Sequence, residues 1–144
     1  MDREILFRGQ TRRRGEKVNL AGEPVDGNWV YGGILQGTGD YSIIYGSADS
    51  DNISASNLEK HVVHTDTVGQ YTGLTDKHGT KIFEGDILNE NSEHFIVVYD
   101  TKWAKFKLRY THAIQYPEWN RGVLMEVIGN RWDTPELMGG EQYE

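Results

Sequence analysis

A chain of 144 residues without cysteine excludes disulfides, thiolate metal sites and cysteine nucleophiles, and it is long enough to bury one ordinary core. Its 17 glycines, eight tyrosines and only three prolines favour short strands joined by tight turns over a helical bundle, so we expect a mainly β fold. The formal net charge of −7, from 15 basic and 22 acidic side chains, opposes non-specific binding to nucleic acid, which would need a local basic patch.

The N-terminal segment MDREILFRGQ carries charges where a signal peptide needs an apolar core. No later run approaches the roughly 18 apolar residues of a membrane span. We therefore expect a soluble, intracellular protein with no membrane partner.

Three consecutive arginines, Arg12, Arg13 and Arg14, lie in a loop predicted over residues 10–17, directly after a short opening strand at residues 5–8. Clustered arginines suit nucleic-acid binding. These three lack interleaved aromatic residues and a supporting face, which favours a solvated basic loop.

Residues 29–45 have the composition of a meander of brief strands. Segment 29–31 combines aromatic and β-branched residues and is expected to end at the pair Gly32-Gly33. A further strand is predicted over residues 41–45.

Two segments resemble ligand-binding loops but depart from their patterns. Gly37-Thr38-Gly39 suggests a nucleotide loop, yet Ser42 stands where the third glycine belongs. Residues 49–52 begin like a calcium loop, but Ser54 and Lys60 replace the required glycine and bidentate glutamate. We predict no cofactor and no calcium site.

His61 and His64 flank two valines that favour a strand. Residues three apart on a strand point to opposite faces, so these imidazoles do not chelate one ion together. We predict ordinary histidines and no metal site.

The stretch from residue 70 to residue 88 has the clearest local chemistry in the chain. Asp76 can hydrogen-bond its own backbone, and Gly79 accepts a positive φ, so residues 70–75 are expected to pair with residues 80–83 as a hairpin. Residues 84–86 then form a second turn, and Ile87-Leu88 begins another apolar strand, so the sequence predicts strand, turn, strand, turn and strand here.

Glu84 and Asp86 are the candidate carboxylates for an enzyme. They lie two residues apart, which would align them on an extended strand, but Gly85 between them favours a turn. The chain contains no GxSxG, GK[ST] or HExxH motif, so we predict a non-enzymatic protein with no catalytic residues.

Residues 94–99 form an apolar strand, and the segment after it alternates between polar and apolar side chains. The predicted basic face of this second strand comprises Trp103, Lys105, Lys107 and Arg109. An aromatic residue beside basic ones suits single-stranded nucleic acid, and Arg12, Arg13 and Arg14 could assist. The polar outer face of an amphipathic strand explains the same pattern, and lysines there discourage edge-to-edge aggregation.

The last strand is predicted over residues 123–128. Thr134 as N-cap, Pro135 at the first helical position and Glu136 in the first turn then predict a short C-terminal helix.

Several of these segments together resemble the YopX-like proteins of bacteriophages and prophages. They are ILFRG at 5–9, WVYGG at 29–33, VGQYTGL at 68–74, DKHG at 76–79, IFEGDI at 82–87, and VIGN at 127–130 followed by PEL at 135–137. His78 departs from the asparagine often found at its turn position.

The resemblance implies a small, mainly β accessory protein of the host cytoplasm that forms homo-oligomers and contacts an unknown phage or host protein. It supplies no catalytic, cofactor-binding or metal-binding residues. We expect one domain over residues 1–138, with an N-terminal β lobe at about 1–64 and a C-terminal lobe at about 65–138, then a tail over 139–144. The turn Gly85-Asp86-Ile87 into a strand resembles SH3-like small barrels, so we expect an SH3-like or similar small barrel in the C-terminal half; this fold-level analogy does not establish function.

Overall fold

The structure, a computed structural model, describes residues 3–12, 16, 29–54, 56 and 58–139. Arg13, Arg14 and the predicted tail from residue 140 onward lie outside the described residues. The chain divides into two compact units, Met1–Gln70 and Tyr71–Glu144, which we call unit 1 and unit 2.

The described residues are mainly β, as predicted, and all strand pairs are antiparallel. The strands of unit 1 are β1 (Phe7–Gln10), β2 (Trp29–Leu35), β3 (Tyr41–Ser47) and β4 (Glu59–His64). Strand β5 (Gly69–Thr75) crosses the unit boundary, and unit 2 continues with β6 (Lys81–Phe83), β7 (Asp86–Glu90), β8 (Glu93–Asp100), β9 (Lys105–Tyr110) and β10 (Glu126–Asn130). Three short 3₁₀ helices are η1 (Thr65–Thr67), η2 (Trp119–Leu124) and η3 (Pro135–Met138).

In unit 1 the strand order is β4-β3-β2-β1, and the first two residues of β5 pair with β1. The buried side chains of Val30, Ile44 and Val63 form the core on one face of this sheet. Strand β2 does not end at Gly32-Gly33, contrary to the prediction, because it continues to Leu35. Glycine is required at position 32 because a Cβ there would lie 2.0 Å from the Tyr45 carbonyl oxygen of β3.

In unit 2 the sheet has the order β10-β7-β8-β9, and apolar side chains pack on both of its faces. Leu88, Phe95 and Leu108 belong to the cluster on one face, while Ile87 and Ile96 belong to the cluster on the other. The alternation of side chains along β7 and β8 separates these two sets.

The sheet of unit 2 is open in the described part of the chain, since β9 pairs with β8 alone and β10 with β7 alone. An SH3-like barrel is therefore not confirmed. The predicted C-terminal helix is a single 3₁₀ turn, η3, and Thr134 occupies its N-cap position without a side-chain cap hydrogen bond.

The predicted hairpin is confirmed as β5 and β6 joined through the turn at residues 76–79, with Gly79 at φ +84°. The Asp76 side chain organises this turn. Its Oδ1 accepts hydrogen bonds from the backbone N–H groups of His78 and Thr80 at 2.8 and 2.9 Å, and its Oδ2 accepts one from Val127 N–H at 2.9 Å.

Candidate interaction surfaces

Three of the four residues of the predicted basic face lie on β9. Of their charges, that of Lys107 is neutralised by an ion pair and that of Arg109 is buried. Lys105, Lys107 and Arg109 share one face, as predicted, because they pair with Asp100, Val98 and Ile96 of β8. Trp103 lies outside the strand, in the turn before it, and its side chain is 66% exposed.

Lys107 is held by an ion pair within the same hairpin. Its Nζ lies 2.6 Å from Asp100 Oδ2 and 4.6 Å from the centre of the Tyr116 ring. The hydrogen bond from Lys107 lowers the pKa of Asp100, and the backbone N–H groups of Lys102 and Trp103 also donate to this carboxylate. Lys107 is half-buried, and the Asp100 carboxylate neutralises its charge.

Arg109 is buried, with 5% exposure, although its pattern predicted an outer face. Its Nε and Nη2 atoms have no hydrogen-bond partner. Burial lowers the pKa of Arg131, and the neighbouring Arg109 guanidinium lowers it further, whereas Glu84 opposes the change. The guanidinium groups of buried Arg109 and half-buried Arg131 therefore interact electrostatically.

The other predicted residues have local structural roles. Arg12 follows β1, and its Nη1 donates a hydrogen bond to the Glu16 carbonyl oxygen. Asp86 is buried and accepts a hydrogen bond from Phe83 N–H at 2.7 Å. Glu84 and Asp86 are separated by Gly85 in the turn between β6 and β7, as the glycine indicated.

His61 and His64 lie on β4 as predicted. They pair with Ile44 and Tyr41 respectively, so their side chains are on opposite faces of the sheet. In the described ranges no group of three His, Cys, Asp or Glu side chains is placed to hold a metal ion.

The sequence did not identify an exposed apolar surface on unit 1, which we call the outer face. It consists of Leu35 on β2, Tyr41, Ile43 and Tyr45 on β3, and Val62 on β4. Leu35 pairs with Ile43, and Ile43 pairs with Val62, so these three side chains form a row across three strands.

Four side chains of the outer face are well exposed: Leu35 (57%), Tyr41 (52%), Tyr45 (42%) and Val62 (42%). The opposite face of β3 carries Ser42, Ile44 and Gly46, all of which are buried. The sequence feature that could have indicated this surface is the alternation of Tyr, Ile and Tyr at positions 41, 43 and 45. Because Ile44 on the opposite face is apolar as well, the sequence alone did not show which face of β3 is exposed to solvent.

The described residues define the class of protein: a mainly β protein with two antiparallel sheets. None of its described helices is long and apolar enough to cross a bilayer.

A family model described as YopX protein matches residues 25–139, and the chain belongs to this family. A search of the curated proteins finds no match.

Among solved structures, the chain is similar to the crystal structure of protein EF1440 from Enterococcus faecalis. The two share 19% identity with a TM-score of 0.52, and the match covers 95% of this chain and 99% of that chain. At this identity the likeness shows the fold alone.

Proposed function

We propose that this protein is a non-enzymatic binding and assembly module that associates with a second copy of itself through the outer face of unit 1. The observation that carries the proposal is the row Leu35, Ile43 and Val62, in which half-buried Ile43 lies between two exposed side chains and is flanked along β3 by two exposed tyrosines. Exposed apolar patches on sheet faces are typical of protein–protein contact sites.

A second copy fits this face because the apolar side chains surround Ile43 in a cross. Tyr41 and Tyr45 flank it along the strand, and Leu35 and Val62 flank it across the sheet. A two-fold axis lying between the two faces, beside Ile43, would bring the same patch of both copies together, as in an isologous dimer. Two such faces would pack as aligned sheets, interdigitating their side chains.

The distribution of charge also favours this contact. Exposed Lys60 lies beside Tyr45 and buried His64 lies beside Tyr41, both at the border of the patch, whereas Leu35, Ile43 and Val62 at its centre are uncharged.

The test is the oligomeric state of two leucine variants, measured by sedimentation velocity over about a 100-fold range of concentration. Leu35→Glu places a charge on the outer face, whereas Leu124→Glu places the same charge on η2 at a similarly exposed leucine (57% and 62%). We expect the wild type and Leu124→Glu to dimerise and Leu35→Glu to remain monomeric. A monomeric wild type, or equal behaviour of the two variants, would refute the proposal.

In keeping with the YopX resemblance, we place this assembly in the cytoplasm of a phage-infected or lysogenic bacterium, with an unknown phage or host protein as a further partner. A pull-down from infected cells, with Leu35→Glu as the control bait, would identify that partner and show whether it needs the assembled form.

Nucleic-acid binding is the alternative function, and exposed Trp103 beside Lys102 and Lys105 is the observation that favours it. The Lys102 Nζ lies 5.5 Å from the centre of the Trp103 ring. Titrating single-stranded and duplex oligonucleotides at low salt tests it: binding must weaken steeply with added salt and with Lys105→Glu. No binding at low salt would remove this alternative.

A further inference from the structure

The guanidinium group of Arg109 on β9 is buried with two donors unused. Its Nε and Nη2 atoms have no hydrogen-bond partner among the described residues, and the residue is 5% exposed. The N–H groups of these two atoms lie along one edge of the planar guanidinium group, which is the arrangement that binds a carboxylate through two parallel hydrogen bonds. A buried charge without a partner destabilises a fold, so this pair of donors calls for an acceptor.

The register places Arg109 beside an apolar cluster. Arg109 pairs with Ile96 of β8, and Ile96 pairs with Ile87 of β7, so the three residues form one row across the sheet. Both isoleucines are buried in one cluster with Met138 of η3. Because electrostatic interactions are stronger in apolar surroundings than in water, an anion at Arg109 is held more tightly than an anion at an exposed arginine.

A second guanidinium group adds to the positive charge. Arg131 follows β10, and its backbone N–H donates to the Gly85 carbonyl oxygen in the turn between β6 and β7. The charge of Arg109 contributes to the lowered pKa of Arg131, and the Glu84 carboxylate opposes it, so the three charged groups act on one another. Two guanidinium groups and one carboxylate have a net charge of about +1. Arg131 and Glu84 are half-buried, so an anion approaches the site from this turn.

We propose that Arg109 and Arg131 form a binding site for a carboxylate group, whose two oxygens accept hydrogen bonds from Nε–H and Nη2–H of Arg109. A singly charged carboxylate neutralises the net charge of the site, whereas a doubly charged phosphate would reverse it. Because both donors are buried, the Arg109 side chain must move for the carboxylate to reach them. The carboxylate belongs either to a free small acid or to the C-terminus of a polypeptide.

The experiment follows the side-chain Nε–H signal of Arg109 in ¹H–¹⁵N spectra while sodium acetate replaces NaCl at constant ionic strength and neutral pH. Acetamide has nearly the same shape as acetate without the charge and is the matched neutral probe. We expect acetate alone to move this signal downfield in a saturable way and to raise the unfolding temperature. N-acetylglycine stands for a polypeptide C-terminus: binding tighter than that of acetate identifies a polypeptide as the source, and binding no tighter identifies a free small acid.

Three variants locate the site. Arg109→Lys keeps the charge but lacks the two parallel donors, so it should bind acetate several-fold more weakly, as measured by the unfolding temperature. Arg109→Met should abolish the effect of acetate. Arg121→Met is the control, because this arginine forms an ion pair with Glu90 elsewhere in unit 2, and it should respond to acetate as the wild type does.

Three outcomes would overturn the proposal: equal effects of acetate and acetamide, an effect of acetate that NaCl reproduces, or undiminished acetate binding by Arg109→Lys. Neither arginine of the site belongs to the outer face, so the result is separate from that of the dimerisation test.

Discussion

Asp76 shows how one buried carboxylate can hold together segments distant in sequence. Its side chain is 5% exposed and accepts from three backbone N–H groups, including that of Val127 on β10. Burial by itself raises the pKa of Asp76, but the hydrogen bonds from Val127, Thr80 and His78, together with the charge of His78, outweigh it and lower the pKa below the ordinary value. The ionised form is therefore favoured in the folded state.

We predict that Asp76→Asn lowers the free energy of unfolding at neutral pH by about 2 kcal/mol, since a charged acceptor is lost. A folded-state pKa below the unfolded value of about 3.9 means that the stabilisation is present above that pH. It is lost as the pH falls through the lowered folded-state pKa. Urea unfolding across this range should show the two proteins converging in acid.

Asp49→Asn is the control for this measurement, because Asp49 is exposed and its amide replacement can still accept from Asp51 N–H. It should leave the unfolding free energy nearly unchanged. A constant difference between wild type and Asp76→Asn at all pH values would show that the charge of Asp76 is unimportant.

Gly79 and Gly85 have nearly the same positive φ but differ in the space around them. Comparing alanine variants at the two positions therefore distinguishes the cost of backbone strain from the cost of steric overlap. Gly79 has φ +84° and open space where a Cβ would lie, whereas Gly85 has φ +90° and its Cβ would lie 2.3 Å from the Trp132 ring. We predict that Gly79→Ala costs about 1–2 kcal/mol from backbone strain. Gly85→Ala should cost about 1–3 kcal/mol more, from overpacking.

Thermal and urea unfolding of both alanine variants measure this difference directly. Equal losses would mean that Trp132 moves aside without cost and that the backbone alone requires glycine at position 85.

At the scale of elements, the β7–β8 hairpin turns through two non-glycine residues in the left-handed region. Asn91 has φ 51° and Ser92 has φ 68°, and positive φ at both central positions is the feature of a type I′ turn. Asparagine tolerates this conformation better than serine does. The turn thus stores strain at Ser92.

We predict that Ser92→Gly raises the unfolding free energy by up to about 1 kcal/mol, because relief of strain exceeds the entropy cost of glycine. Urea midpoints at unchanged slope are the measurement. Ser92→Ala is the control and should give no gain. A lower midpoint for Ser92→Gly would indicate that the serine side chain supports the turn.

Local turn chemistry is the part of the fold that could be predicted. Asp76 and Gly79 lie between two predicted strands, where residues of these types form a tight turn. The β5–β6 hairpin could therefore be predicted from the sequence. The two valines of β4 likewise placed His61 and His64 on opposite faces.

The sequence does not predict which parts of the chain cover the two faces of each strand. Alternation placed Lys105, Lys107 and Arg109 on one face of β9, but a strand pattern assumes one solvated face, and this sheet packs apolar clusters on both. Arg109 is buried for that reason. On β3 the reverse occurs: Ile43 and Ile44 are both apolar, and packing alone determines that Ile44 is the buried one.

At the scale of the whole molecule, the net charge of −7 acts against the proposed dimer, since two copies repel each other while their apolar outer faces attract. Salt screens that repulsion over a Debye length of about 10 Å at 0.1 M. We therefore predict that raising NaCl from about 0.05 M to about 0.5 M lowers the dimer dissociation constant several-fold. Sedimentation equilibrium on the wild type measures it.

The direction of the salt effect separates the competing functions. An interface built on ion pairs, or binding to nucleic acid through Lys105, would weaken with salt instead of strengthening. Leu35→Glu should remain monomeric at every salt concentration. Screening weakens the repulsion between two copies, but this variant lacks the apolar contact that would hold them together. A dissociation constant that rises with salt would place the contact on charged residues, away from Ile43 and its neighbours.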